Sequence, residues 1–141
     1  MGIQHSDVKY TAVATAENGR DGKVATDDGK LDVVVNPPKE MGGSGAGTNP
    51  EQLFAAGYAA CFQGALGVVA RNEKADISGS RITAEVGIGT NDDGFGIIVT
   101  IKGSFPGQDE ATAKDLLEKA HQVCPYSKAT RGNITVDLEV V

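Results

Sequence analysis

A run of small and apolar residues opens at Asn49-Pro50 and continues to about residue 73, with Ala55, Ala56, Gly57, Ala59, Ala60, Gly64, Ala65 and Gly67 inside it. Asn49 suits a helix cap, Pro50 the first helical position, and Gln52 a capping-box-like start. A helix apolar around much of its circumference has to be buried. Glycine lowers its intrinsic helicity by up to about 1 kcal/mol per position relative to alanine, so packing by the rest of the chain or by a second subunit must compensate. Tyr58, Phe62 and Leu66 recur every four residues and mark a core-facing side. The fold must be built around this helix.

Strand-like segments lie on both sides of it. Residues 8–16, 23–26 and 31–35, separated by Asn18-Gly19, Asp21-Gly22 and Asp28-Gly29, predict an antiparallel meander that Pro37-Pro38 stops. Residues 82–89 and 95–105 predict a hairpin around Asn91-Asp92-Asp93-Gly94. A second helix is expected from near Asp109 to Val123 or Cys124, ended by Pro125, and a last strand over residues 133–141. These elements predict an α+β fold: a largely antiparallel β-sheet, a long buried central helix and a second helix. The 141 residues fit one domain, residues 1–141.

Charge and short motifs narrow the function. A formal net charge of −6 with no Lys/Arg run disfavours nucleic acid and anionic membranes as partners. No apolar stretch is expected to span a bilayer and no export signal opens the chain, so a reducing cytoplasm is the expected location. Met1-Gly2-Ile3-Gln4-His5-Ser6 fits a myristoylation pattern without a second membrane signal, and Asn133-Ile134-Thr135 is a sequon expected in a strand. Residues 41–47 are glycine-rich, but no Gly-Lys-Ser/Thr follows and the spacing is not that of a dinucleotide fingerprint.

The chain has two cysteines, Cys61 inside the small-residue helix and Cys124 just before Pro125. They are too few for a disulfide framework and lack Cys-x-x-Cys spacing; neither His5 nor His121 stands at a zinc-ligand spacing from them. Each alone fits a small buried hydrophobe as well as a reactive thiol. Cys61 lies about 12 residues, roughly 18 Å, beyond the helix start, too far for the helix dipole to help it ionise. A reactive Cys61 therefore needs a cation from elsewhere.

The runs Gly47-Thr48-Asn49-Pro50-Glu51-Gln52-Leu53-Phe54-Ala55-Ala56-Gly57-Tyr58-Ala59-Ala60-Cys61-Phe62 and Val123-Cys124-Pro125-Tyr126-Ser127-Lys128-Ala129-Thr130-Arg131-Gly132-Asn133 resemble the organic hydroperoxide resistance proteins, the Ohr branch of the Ohr/OsmC family. The likeness extends over nearly the whole chain and includes Asn18-Gly19-Arg20, where the family more often has glycine at the first position. It implies an OsmC-like intertwined homodimer with active sites at the subunit interface. Cys61 is then the peroxidatic nucleophile, Cys124 the resolving thiol, and Arg20 with Glu51 the activating and orienting pair. Organic hydroperoxides are the implied substrates, and a lipoyl dithiol, dihydrolipoamide or a lipoylated protein, the implied external reductant, with no bound cofactor or metal. Outside the motif, Arg20 and Glu51 read as solvated charge, Arg131 as a structural contact and His121 as a helix-surface residue. The runner-up readings are an OsmC-type peroxidase with other substrate preferences and a non-enzymatic redox-responsive binding module.

Overall fold

The structure, a computed structural model, describes residues 2–141 as two compact units that divide between Pro50 and Glu51. In the first unit, β1 (Ala14–Glu17), β2 (Gly22–Thr26) and β3 (Asp32–Val35) form an antiparallel sheet in chain order. Asn18 and Gly19, both with φ near +60°, turn β1 into β2 and put Arg20 in the connecting loop. The Asp28 carboxylate closes the next turn by accepting from the Lys30 amide at 3.0 Å and the Thr26 hydroxyl at 2.7 Å. After β3 a 3-10 turn, Lys39–Met41, follows the two prolines.

Residues 8–13 correct the expectation of a strand over 8–16. The β1–β2 ladder ends where Ala14 pairs Thr26, with one further bond from the Asp27 amide to the Val13 carbonyl at 3.1 Å; the chain then turns away at Asp28-Gly29, and among the described residues no strand faces residues 8–12.

The helix α1 (Pro50–Glu73) forms as predicted and belongs, from Glu51 onward, to the second unit. A hairpin follows, β4 (Arg81–Asn91) and β5 (Gly94–Ser104), paired antiparallel from Arg81 with Ser104 to Asn91 with Gly94. Then come α2 (Glu110–Val123), capped by the Asp109 carboxylate on the Thr112 amide at 2.7 Å, a short α3 (Pro125–Thr130), and β6 (Val136–Val140). The sheet order is β4-β5-β6.

Tyr58, Phe62 and Leu66 of α1 meet Val99 and Ile101 of β5 and Leu116, Leu117 and Ala120 of α2 in one core. Ala56, Ala60, Gly64 and Val68 on another face of α1 are exposed, so within one chain the helix is buried on one side only. By length and composition α1 would suffice to cross a membrane, with a mean hydropathy of 1.6, contrary to the reading of the sequence alone. Here its largest side chains go into the core instead.

Two further features depart from expectation. Pro125 ends α2 but also occupies the first position of α3, where its missing N–H costs nothing. The last strand is shorter than residues 133–141 because Asn133 and Ile134 donate to the Thr130 carbonyl and close α3, so the Asn133-Ile134-Thr135 sequon precedes the strand. β6 then runs parallel to β5, Val99 opposite Val136, a geometry that requires the intervening α2 crossover.

Candidate functional site

The second unit brings its two cysteines together across 63 positions of chain: the Sγ atoms lie 3.4 Å apart, both as free thiols. Cys61 is partly buried on α1, and Cys124 is completely buried at the junction of α2 and α3. A disulfide needs about 2.05 Å between sulfurs, so an approach of roughly 1.4 Å would close it.

The junction is made by the backbone of Cys124. Its φ of −59° and ψ of 123° leave the helical region, as is usual for a residue before proline. Its amide still donates to Ala120 at 2.9 Å as the end of α2, while its carbonyl accepts from Lys128 at 3.0 Å as the start of α3. Burial pushes the Cys61 thiol up from its ordinary value; the Tyr126 amide pulls it down, and the adjacent Cys124 thiol pushes it up again.

An aromatic cluster sits beside the thiols. The Tyr126 ring lies 6.1 Å from Phe54 and 5.6 Å from Tyr58, with interplanar angles of 63° and 53°. Gly57 allows this approach: a Cβ there would come within 2.7 Å of the Tyr126 hydroxyl. Tyr58 and Phe62 have no exposed surface, so of the aromatics near Cys61 only Phe54, partly buried, and Tyr126, 40% exposed, can meet a ligand.

Behind the sulfurs lies a polar network that the sequence did not reveal. The Ser127 hydroxyl is fully buried, 2.8 Å from the Tyr58 hydroxyl and 2.8 Å from His121 Nδ1; Tyr58 also lies 3.1 Å from Thr130 Oγ1. His121 is held below its ordinary pKa by burial and then by the Arg131 charge. Arg131 donates to the His121 carbonyl at 2.9 Å, a structural contact as expected of it. The available signal was Pro125 at a helix start, with hydroxyls at 127 and 130 on one turn.

Arg20 lies in the β1–β2 loop of the first unit, and Glu51 in the first turn of α1, about 15 Å along the helix axis from Cys61. Among the described residues no group of three or more His, Cys, Asp or Glu is placed to hold a metal ion.

The sequence model of the OsmC-like protein family matches residues 42–139. The chain is 54% identical over 133 residues to the organic hydroperoxide resistance protein of Xanthomonas axonopodis pv. citri, covering 93% of this chain and 94% of that one. Among solved structures, it resembles an organic hydroperoxide resistance protein of Legionella pneumophila with a TM-score of 0.90 and 45% identity, covering 95% of this chain and 98% of that one. The corresponding protein OhrB of Bacillus subtilis gives 0.87 and 45%, over 95% and 100% of the two chains.

Proposed function

The chain belongs to the OsmC-like protein family, in its organic hydroperoxide resistance branch, and from that premise we propose that it is a cysteine peroxidase that reduces organic hydroperoxides to alcohols. The observation that carries this reading is the 3.4 Å separation of two free thiols in unlike settings, one partly accessible and one buried.

The Cys61 thiolate attacks the terminal oxygen of the hydroperoxide, an S–O bond forms as the O–O bond breaks, and the departing alkoxide takes a proton to become the alcohol. The Cys124 thiol then attacks the sulfenic sulfur; an S–S bond forms, the S–O bond breaks, and the hydroxyl leaves as water with the Cys124 proton. An external dithiol restores both thiols by exchange and is itself oxidised to a disulfide. Its proposed class is the lipoyl group, free or protein-borne, with a reducing cytoplasm as the setting.

Burial, with the Cys124 thiol beside it, holds Cys61 toward the thiol, so thiolate formation calls for a positive charge. The proposed source of that charge, implied by the family resemblance, is Arg20, with Glu51 fixing its guanidinium plane, in a homodimer. Phe54 and Tyr126 offer apolar surface to an alkyl tail, worth roughly 0.8 kcal/mol per buried methylene, and hydrogen peroxide has none to bury.

The deciding experiment compares steady-state reduction of cumene hydroperoxide and hydrogen peroxide with dihydrolipoamide as reductant. Higher kcat/KM for the organic peroxide, with a Cys61–Cys124 disulfide in the oxidised protein, is expected. Preference for hydrogen peroxide would move the protein toward an OsmC-type activity, and no turnover with excess dithiol would leave a redox-responsive binding module.

A further inference from the structure

The segments that carry the two sulfurs are joined a second time, one helical turn away. Tyr58 precedes Cys61 by three positions on α1, and Ser127 follows Cys124 by three positions into α3, and their hydroxyls are 2.8 Å apart. Ser127 Oγ also meets His121 Nδ1 of the last turn of α2 at 2.8 Å, so one buried hydroxyl touches all three helices. Tyr58 continues to Thr130 Oγ1 at 3.1 Å, and Thr130 Oγ1 lies 3.2 Å from the Ser127 carbonyl oxygen.

These four contacts can be counted in protons. Ser127, Tyr58 and Thr130 supply one hydroxyl proton each, which is enough for three bonds. The fourth exists only if His121 carries its proton on Nδ1 and donates to Ser127. Ser127 then donates to Tyr58, Tyr58 to Thr130, and Thr130 to the Ser127 carbonyl. Every buried polar atom in the ring is satisfied in that arrangement.

Resting on the peroxidase reading above, we propose that Ser127 is a positioning residue for the resolving step, its hydroxyl clamping the Cys124 turn to Tyr58 of α1 and to His121 of α2. A six-residue helix does not hold itself in place. The aromatic contacts of Tyr126 can slide, whereas hydrogen bonds fix distance and angle. The clamp thus sets how closely the Cys124 sulfur approaches Cys61 when the S–S bond forms and water leaves. Ser127 touches neither peroxide nor sulfur; it acts through the backbone of the turn.

The test uses the full chain and two readouts. Purified protein is oxidised to the Cys61–Cys124 disulfide and equilibrated with dithiothreitol, and separately the reduced protein receives one equivalent of cumene hydroperoxide while sulfenic acid and disulfide are followed by mass. For Ser127→Ala, about a tenfold easier reduction of the disulfide and about a tenfold slower closure are expected, with sulfenic acid formation within about twofold of the wild type. Tyr58→Phe, which keeps the ring in the core, should show a smaller loss in the same two quantities. Nitrogen NMR of the wild type should find neutral His121 with its proton on Nδ1. Wild-type equilibrium and closure rate in folded Ser127→Ala or in Tyr58→Phe would overturn the proposal, as would a proton on Nε2 of His121. If Ser127→Ala does not fold, Tyr58→Phe and the tautomer decide. The dithiothreitol equilibrium needs no peroxide, so failure of wild-type protein to reduce peroxide would overturn the peroxidase reading while the clamp is still measured.

Discussion

Cys61 and Cys124 lie 3.4 Å apart on segments built in opposite ways. Cys61 sits in mid-helix, where Tyr58, Phe62 and Leu66 lock α1 into the core. Cys124 sits at a break, where the backbone leaves helical geometry and starts again behind Pro125. A continuous helix holds a group at fixed depth but gives it no amide, since each interior N–H is committed to the carbonyl four residues back. A break leaves amides uncommitted. The Tyr126 amide at the break accordingly favours the Cys61 thiolate, against the larger effect of burial.

The most severe way to test that contrast is to exchange each sulfur for oxygen. Cys61→Ser should lower peroxide reduction about 10³-fold or more, because the covalent route is lost. Cys124→Ser should consume one equivalent of peroxide at close to the wild-type rate and stop with Cys61 as a sulfenic acid. Single-turnover mass analysis distinguishes them; equal first turnovers would erase the proposed division of labour.

Arg20→Ala addresses the proposed cation. If Arg20 supplies the charge that the helix cannot, peroxide reduction at neutral pH should fall about 10²-fold, and alkylation of Cys61 should require higher pH. Burial and the neighbouring thiol already favour the protonated form, so losing a cation can only move the titration further in that direction. An unchanged alkylation profile would remove Arg20 from the activating role.

Gly57→Ala presses on the break from the continuous side. The added Cβ would meet the Tyr126 hydroxyl at 2.7 Å and its ring carbons at 3.2 Å. Tyr126 is partly exposed and can give way, and alanine favours the helix by up to about 1 kcal/mol, so stability should change by less than about 1 kcal/mol in either direction. Disulfide closure should slow several-fold, roughly threefold to tenfold, since the turn carrying Cys124 must shift with Tyr126. Thermal unfolding and single-turnover closure measure the two effects separately.

The smallest effect is on pH. Folded His121 binds a proton less readily than the histidine of the unfolded chain, because of burial and then Arg131. Above about pH 6.5 both forms are neutral and this contribution to stability is complete. As pH falls below that value the unfolded chain is protonated first, and stability declines until the folded ring also titrates. Urea unfolding of wild type and His121→Gln at pH 7.5 and 5.5 should show the shallower acid decline in the variant.

The α1 helix was readable to its ends, since Asn49-Pro50 at one side and the run of small residues up to Glu73 act through local geometry. The β4–β5 hairpin and the start of α2 near Asp109 were legible for the same reason. What depends on a distant partner was not. Residues 8–12 have strand character but, among the described residues, no facing strand, and the parallel direction of β6 is decided by the α2 crossover and not by the composition of residues 136–140. The two cysteines were conspicuous as residue types, yet their approach is a tertiary fact. Ser127, Thr130 and His121 resemble ordinary helix-end residues until Tyr58 is brought to them from far along the chain.

The parallel seat of β6 has a consequence for how the chain is made. Every residue that β6 pairs with, from Val99 to Gly103, leaves the ribosome well before Val136–Val140 does. Through that interval β5 carries one open edge next to Val99 and Ile101, which are fully buried only in the finished protein. Vectorial synthesis therefore leaves an adhesive strand waiting for the final segment of its own sheet, and that waiting period is when neighbouring nascent chains compete for it.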